Sequence, residues 1–338
     1  MSARQSLDRA GSREHRITLA GRTVCLRFAG EALEPVLWPA LAHHVSAPEA
    51  GPALELLVWD SDSTGIEPPP APWEGMGFAD WSRTQARRMH DVEMHLCGHG
   101  TFSLLMRQSA TASYWVRSAA DVPPWDRAAP FRSLLGMWAE QHGAMLVHGA
   151  AIGNGDGALL LTAPGGSGKS TAAVASLLHG LCFLGEDYVL VEPGEPPCVH
   201  NLYGTAKLDD AAMARLFVDG MPPGATLDPG PDPVAYDHHK TILLLGETHR
   251  AQLARSLDVR AILVPFLSPS RETSVTPLGA AAVLRALAPT TLLQLPGSGP
   301  HSLAMLAAIA ASVPGHALAL GRDPGAVVSA LQRLLEGS

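Results

Sequence analysis

The sequence predicts an α/β protein in two parts: a β-rich domain over residues 1–125 and a phosphate-loop α/β domain over residues 126–338. Three observations carry this. An apolar run stops at a glycine-rich loop ending in Lys-Ser-Thr, Gly157-Ala-Leu-Leu-Leu-Thr-Ala-Pro-Gly-Gly-Ser-Gly-Lys-Ser-Thr171, with a strand pattern before it and an Ala/Leu-rich helix pattern after it. All seven Trp lie at or before Trp138, whereas all three Lys, at 169, 207 and 240, lie after it. Alternating apolar residues dominate the first part, and helical spacing sets in from Pro130.

The elements follow in chain order. Met1 to Arg16 is polar and charged, without the apolar centre of a secretory signal. His15 to Phe28 alternates around a Gly21-Arg22 turn and predicts a hairpin. Leu54 to Trp59, Val92 to Leu96, Phe102 to Met106 and Ser113 to Val116 read as further strands, and the proline-rich Ile66 to Trp73 as an extended loop. Phe131, Leu134, Leu135 and Trp138 recur at helical spacing until Gly143. One strand is expected over Ala144 to Ala151, then a Gly153-Asn-Gly-Asp-Gly157 turn and the strand Ala158 to Leu161 that feeds the loop. A helix from Thr171 to His179 stops at Gly180, because glycine accepts the left-handed conformation that ends helices. Leu181 to Leu184 and Tyr188 to Glu192 are apolar strands flanking Gly185-Glu-Asp187.

Pro193 to Pro197 and Met221 to Pro233 are too rich in Pro and Gly to hold a ladder and read as mobile loops facing substrate, with a helix between them starting at Asp209 or Asp210. Strands at Thr241 to Leu245 and Ala261 to Phe266 precede helices at Gly279 to Leu287, His301 to Ala311 and Pro324 to Leu335. There is no internal repeat.

Composition excludes several classes. A net charge of −8 without a basic run argues against nucleic acid or an anionic membrane as main partner. The longest apolar stretch, Leu303 to Val313, is too short to span a bilayer. The four Cys, at 25, 97, 182 and 198, have no C-x-x-C spacing, which suits reduced thiols and a cytoplasmic setting.

The loop supplies the chemistry. Backbone N–H groups from Gly165 to Lys169 must turn inward toward phosphate oxygens, a conformation that glycine permits. Ala163, Pro164, Gly165, Gly166, Ser167, Gly168, Lys169, Ser170 and Thr171 are therefore the candidate nucleotide-binding residues, with Ala163 standing where the usual pattern has Gly. Lys169 reaches the β- and γ-phosphates, Ser170 holds Mg²⁺, and the helix that starts there points its positive end at the anion. Only three of the 24 basic residues are Lys, so Lys207 and Lys240 join the candidates as cations retained for a compact ammonium.

Glu186 and Asp187 end the strand that follows the loop helix, where a parallel sheet presents groups to its ligand crevice. Phosphoryl transfer needs a carboxylate near Mg²⁺ and a group to take the proton of the attacking hydroxyl, and two adjacent carboxylates can divide those tasks. His148 stands in an apolar strand, a setting in which histidine is more often a satisfied core residue than a catalyst. His95, Cys97 and His99 alternate along one strand and form a weak metal pattern without a fourth ligand nearby. His238-His239-Lys240 reads as a phosphate-facing loop or a solvated turn. Ala206-Lys-Leu-Asp209 comes too soon after the loop, and lacks the Asn or Thr, to be a guanine-reading signature, which removes most of the case for a GTPase switch.

The order His148-Gly-Ala-Ala, the Gly/Asp turn, Ala163 to Thr171, a helix ending His179-Gly180, then Gly185-Glu-Asp-Tyr-Val189 resembles the HPr kinase/phosphorylase family. The similarity is sharpest over residues 144–192 and extends weakly to Val313-Pro-Gly-His-Ala-Leu-Ala-Leu-Gly321 and the closing helix. The resemblance implies a fold shared with phosphoenolpyruvate carboxykinases and an ATP- and Mg²⁺-dependent serine kinase. It implies Lys169 on the phosphates, Ser170 and Asp187 on Mg²⁺, the acidic pair as metal contact and general base, and His148 beside that base. The family usually has Asp-Asp where this chain has Glu186-Asp187, which leaves the division of roles between them open. The Arg-Pro-Gly-Arg loop of true HPr kinases has no match, and the first 125 residues are unlike their regulatory domain. Some relatives of this size resemble tailoring kinases of lasso-peptide clusters, which implies a precursor peptide or small protein as partner, phosphorylated on a hydroxyl, typically that of its C-terminal Ser; the Trp-rich part either offers an edge strand or aromatic groove or simply fills a core. Two other readings stay open: a metabolite kinase or carboxykinase, and a nucleotide-dependent binding protein without transfer chemistry.

Overall fold

The computed structural model describes residues 2–45, 51–68, 85–89, 92–97, 100–217, 225–228, 240–294 and 299–337. The proline run after residue 68, His99, His238, His239 and the side chains of His95 and Cys97 lie outside the described residues, and with them the metal pattern and the histidine turn. The chain divides into two compact units, Met1–Trp138 and Ala139–Ser338. Residues 126–131, grouped by sequence with the second part, pack in the first: Asp126 accepts a hydrogen bond from the Tyr114 hydroxyl at 2.9 Å, and the Phe131 ring meets that of Tyr114 edge-on.

In the first unit, β1 (Ser12–Leu19), β2 (Arg22–Ala29), β3 (Leu54–Asp60), β4 (Gln85–Met89), β5 (Val92–Cys97), β6 (Thr101–Met106) and β7 (Thr111–Val116) form one sheet in the order β1-β2-β3-β7-β6-β5-β4. The hairpin turns at Ala20-Gly21, one residue before the expected pair, because both positions adopt positive φ, 45° and 70°. That geometry matches the right-handed twist of the paired strands. The Ser2–Ala10 helix, not expected from the sequence, buries Ala3 and Ser6 and packs Leu7 beside Ala3. Trp59 lies in the core and donates to the Ile66 carbonyl at 3.1 Å, Trp115 donates to Ser61, and Trp38 stacks on His15. These three tryptophans are thus engaged within their own unit.

The second unit contains β8 (Met145–His148), β9 (Ala150–Asn154), β10 (Gly157–Leu161), β11 (Cys182–Gly185), β12 (Tyr188–Glu192), β13 (Cys198–His200), β14 (Thr205–Asp209), β15 (Ala225–Asp228), β16 (Lys240–Leu244), β17 (Ser256–Leu267), β18 (Ser274–Leu278) and β19 (Gly315–Leu320). The main sheet runs β11-β9-β10-β17-β13-β12-β8, with β19 added to β17 and β18 to β19. A three-stranded sheet, β14-β16-β15, stands apart from it. Strand β15 falls within the segment read as unable to hold a ladder; its Thr-Leu run pairs with β16 between the flanking prolines.

Strand β17 is longer than the apolar run suggested, because its first residues pair with β13 and its later ones with β10 and β19. The single strand expected over Ala144 to Ala151 is broken at Gly149. Before the break β8 pairs with β12, and after it β9 pairs with β10 and β11. The partner segment is interrupted at the same place, between β11 and β12, and there the Gly149 N–H donates to the Asp187 carbonyl at 3.1 Å. Because β9 is antiparallel to both β10 and β11, those two strands run in the same direction and deliver their C-terminal ends to one edge. This mixed sheet, not an all-parallel one, places the phosphate loop and the acidic pair side by side.

Helix Lys169–Leu178 covers one face of the sheet, where Ala173, Val174 and Leu177 pack with Leu159, Leu161 and Leu263. Helices Ala280–Leu292 and Pro300–Ser312 cover the other through Val283, Leu287, Leu306 and Ile309. Among the described residues no helix is long and apolar enough to cross a membrane.

The break at Gly149 is tightly enclosed: a Cβ there would sit 2.8 Å from the Leu161 carbonyl oxygen. Gly149→Ala is expected to destabilise the protein by about 1–3 kcal/mol through overpacking, read as a lowered midpoint in denaturant unfolding.

Candidate functional site

The loop between β10 and the Lys169–Leu178 helix has the backbone its composition demands. Gly166 and Gly168 hold φ of 76° and 92°, and nothing lies within 4 Å of a Cβ built on Gly165 or Gly166. The loop is thus a cradle that side chains would fill. Ser167 Oγ is buried without a hydrogen-bond partner among the described residues, as suits a donor meant for an incoming anion. A cavity of about 210 Å³ opens over it, lined by Gly165 to Thr171 together with His148, Glu186, Asp187, Lys207 and Lys240.

Ala163 and Pro164 do not line this cavity. Their carbonyls instead accept the Lys169 ammonium, at 2.6 and 3.2 Å. Burial lowers the pKa of that ammonium, against the pull of Glu186 and Asp187. A second lysine organises the acids. The Lys207 backbone N–H donates to Glu186 Oε2 at 3.0 Å, and its ammonium pairs with Asp187 Oδ2 at 2.7 Å. Strand β14 holds Lys207 in register opposite Ile242 of β16.

The two carboxylates face different ways. The Ser170 hydroxyl donates to Glu186 Oε1. Asp187 Oδ1 lies 3.1 Å from His148 Nε2, so a neutral His148 bonded to the carboxylate carries its proton on that nitrogen. The carboxylate beside Ser170 is Glu186, whereas Asp187, named with Ser170 as a magnesium ligand in a division of roles left open, faces His148. Burial raises the Glu186 pKa, and the charge of Asp187 raises it further. Asp187 goes the opposite way: burial opposes its charge, but Lys207 and His148 outweigh burial and hold it well below the usual carboxylate range. Burial likewise opposes the Lys207 charge and is outweighed by Asp187, Tyr188 and Glu186, which raises its pKa.

The residues fit a magnesium-bound nucleotide. Mg²⁺ in such sites takes one or two protein oxygens and completes its shell with phosphate oxygens and water; Ser170 and Glu186 stand together to supply them. Among the described residues no group of three or more His, Cys, Asp or Glu forms a self-sufficient metal site.

Some lining residues had no sequence signal or a faint one. Arg215 is one arginine among many. Leu267 extends an apolar strand by one residue yet is 62% exposed. Asp209 lies at the cavity wall as the cap of helix Asp210–Leu216, accepting from the Ala212 N–H at 2.8 Å.

No family model and no curated protein matches the chain. Among solved structures, it is similar to the HPr(Ser) kinase/phosphatase from Coxiella burnetii at 10% identity, with 56% of this chain and 95% of that one covered and a TM-score of 0.30. A score that low assigns no role to any residue, so the chemistry rests on the site's own geometry.

Removing the central cation tests that geometry. Because folding holds Asp187 below its ordinary value, its pairing stabilises the fold in full at neutral pH and fades as pH falls past that value toward the lower folded one. Lys207→Met is expected to cost about 3–5 kcal/mol at neutral pH by leaving a buried carboxylate without its cation. The difference from wild type should shrink toward acid pH, where the carboxylate of the variant is protonated. Denaturant unfolding across that range checks it, and a loss independent of pH would contradict the pairing.

Proposed function

We propose that the chain is an ATP- and Mg²⁺-dependent kinase that transfers the γ-phosphate to a serine hydroxyl of a peptide or small protein, with the C-terminal Ser of a lasso precursor peptide as the favoured acceptor. One observation carries this reading: in a single cavity with the phosphate loop, one carboxylate faces the loop serine and the other faces a histidine. Nucleotide binding alone needs only the first of these. The second, Asp187 with His148, is an additional group of the kind that transfer to a hydroxyl requires.

When bound, Mg²⁺ and the nucleotide supply the phosphoryl group and neutralise charge that develops on it. Loop N–H groups and Lys169 hold the phosphates in line. Ser170 and Glu186 hold the metal side of the site. Asp187 accepts a hydrogen bond from the acceptor hydroxyl, orients it and takes its proton as transfer proceeds. Lys207 keeps Asp187 ionised, His148 fixes its rotamer, and Lys240 lies on the cavity wall as a further cation. The free thiols of Cys25, Cys182 and Cys198 suit a reducing compartment, so we place the enzyme in the cytoplasm.

Asp187→Asn is expected to leave ATP affinity within about threefold while lowering phosphate transfer by about 10²- to 10⁴-fold. Lys169→Ala is expected to weaken ATP binding itself by about tenfold or more. Calorimetric titration and incubation with γ-labelled ATP and candidate precursor peptides measure the two effects. Full transfer by both variants would falsify the proposal, label moving to a metabolite instead would redirect it, and binding without any transfer would leave a regulatory protein.

A further inference from the structure

Next to the phosphate cavity lies a narrow slot that the loop chemistry leaves unused. The two spaces share Gly168, Thr171, Arg215 and Leu267, so a molecule held on the loop can extend from one into the other. Ala172 and Ala175 of the loop helix form its floor, Leu320 and Leu267 one side, and Arg322 its outer rim. Leu267 and its neighbour Phe266 are exposed at 62% and 49%, an unusual position for two large apolar side chains at the end of a central strand. Leu320 and Leu267 crowd the loop so closely that a Cβ on Gly168 would sit 2.5 Å from Leu320 Cδ1 and 3.3 Å from Leu267 Cδ2.

The groups able to read the edge of a base are scarce or already engaged. Among the described residues Thr171, Arg215 and Arg322 are the polar side chains of the lining, with neither a carboxylate nor an amide among them. The Gly321 N–H donates to Thr273, the Leu320 carbonyl accepts from Ser268, and the neighbouring Asp323 caps the closing helix through the Gly325 N–H. The slot is shallow, about 40 Å³, so a base packed on it leaves its outer face toward the rim. Arg322 is exposed where it borders the slot, and its guanidinium is a planar group able to stack on a ring.

We propose that this slot takes the nucleobase of the phosphate donor by packing it against Leu267, Leu320 and the alanine floor beneath Arg322, without reading its edge. Adenine and guanine nucleotides then bind alike, and each binds more tightly than the bare phosphate chain. This rests on the reading of the loop as a phosphate site.

Calorimetric titration of the full chain with ATP, GTP and inorganic tripolyphosphate, each with Mg²⁺, tests it. The expected result is ATP and GTP within about threefold of each other and both about tenfold or more tighter than tripolyphosphate. Arg322→Ala, an exposed position, should remove most of that gap and leave tripolyphosphate binding unchanged. A preference of about tenfold or more for either purine would overturn the proposal by showing that the edge is read. So would tripolyphosphate binding as tightly as ATP, or Arg322→Ala weakening all three ligands equally, which would reduce Arg322 to a general charge. Binding of tripolyphosphate alone would defeat the base slot and keep the phosphate loop, whereas binding of none would defeat both.

Discussion

The organisation of the site depends on the position of Lys207. Its main-chain N–H and its ammonium hold different carboxylates, one on Glu186 and one on Asp187. Two adjacent buried carboxylates would repel each other and share a proton. With one cation placed closer to Asp187, their titrations separate instead. Asp187 stays ionised at low pKa and Glu186 is pushed up. Taking both charges of an ion pair out of water is costly, so the pair is better understood as fixing geometry and charge state than as a source of stability. An arginine could not substitute readily, since its broader guanidinium would have to fit where a single ammonium now sits 2.7 Å from one oxygen.

The backbone meets this demand by changing strand partners within the main sheet. Two hydrogen-bonded chain segments, one through Gly149 and one through Gly185 to Asp187, leave one set of pairings and enter another at the same point. Asp187 takes φ of 67° there, a region that Asp enters more readily than most side chains. Gly185 stands at 152°, where a Cβ would press on Val189 at 2.6 Å. The bond from the Gly149 N–H to the Asp187 carbonyl holds the turned residue. Since β8 ends at His148 just before the crossing, the same turn that exposes Asp187 brings His148 alongside it. Strand pairing thus converts a separation of 39 residues in sequence into one hydrogen bond.

What could be read in the sequence follows the range of the interactions involved. The phosphate loop was legible because its conformation is dictated locally by glycines between a strand and a helix. The helix opening at Asp209 or Asp210 was legible for the same reason, and the structure makes Asp209 its cap. The break at Gly149 was not, since a single glycine in the apolar run from Ala144 to Ala151 carries no turn signal, and only the pairing of β8 and β9 with different partners divides it. Lys207 stood out through the scarcity of lysine, but its work on the acidic pair depends on β14 lying beside that pair, a tertiary fact. The Ser2–Ala10 helix was hidden because its apolar face is narrow, Ala3, Leu7 and Ala10 among charged and polar residues. The role of Glu186 beside Ser170 was obscured because adjacent carboxylates look equivalent until the backbone points them apart.

The separation of the two acids bears on the order of events in the proposed transfer. A carboxylate held below its ordinary range is a weak base toward an un-ionised hydroxyl, so Asp187 gains little by removing a proton early. Glu186 is the more basic of the two, but it is turned to the loop serine, which donates to its Oε1, and so stands on the metal side of the site; the oxygens of both acids accept hydrogen bonds, those of Asp187 from His148 and Lys207. Phosphoryl transfer tolerates this arrangement, because in a loose transition state the attacking oxygen gains acidity only as its bond to phosphorus forms. Asp187 then acts first by orientation and last as proton acceptor. Its fixed charge, held by Lys207 and aligned by His148, is the property that this sequence of events requires.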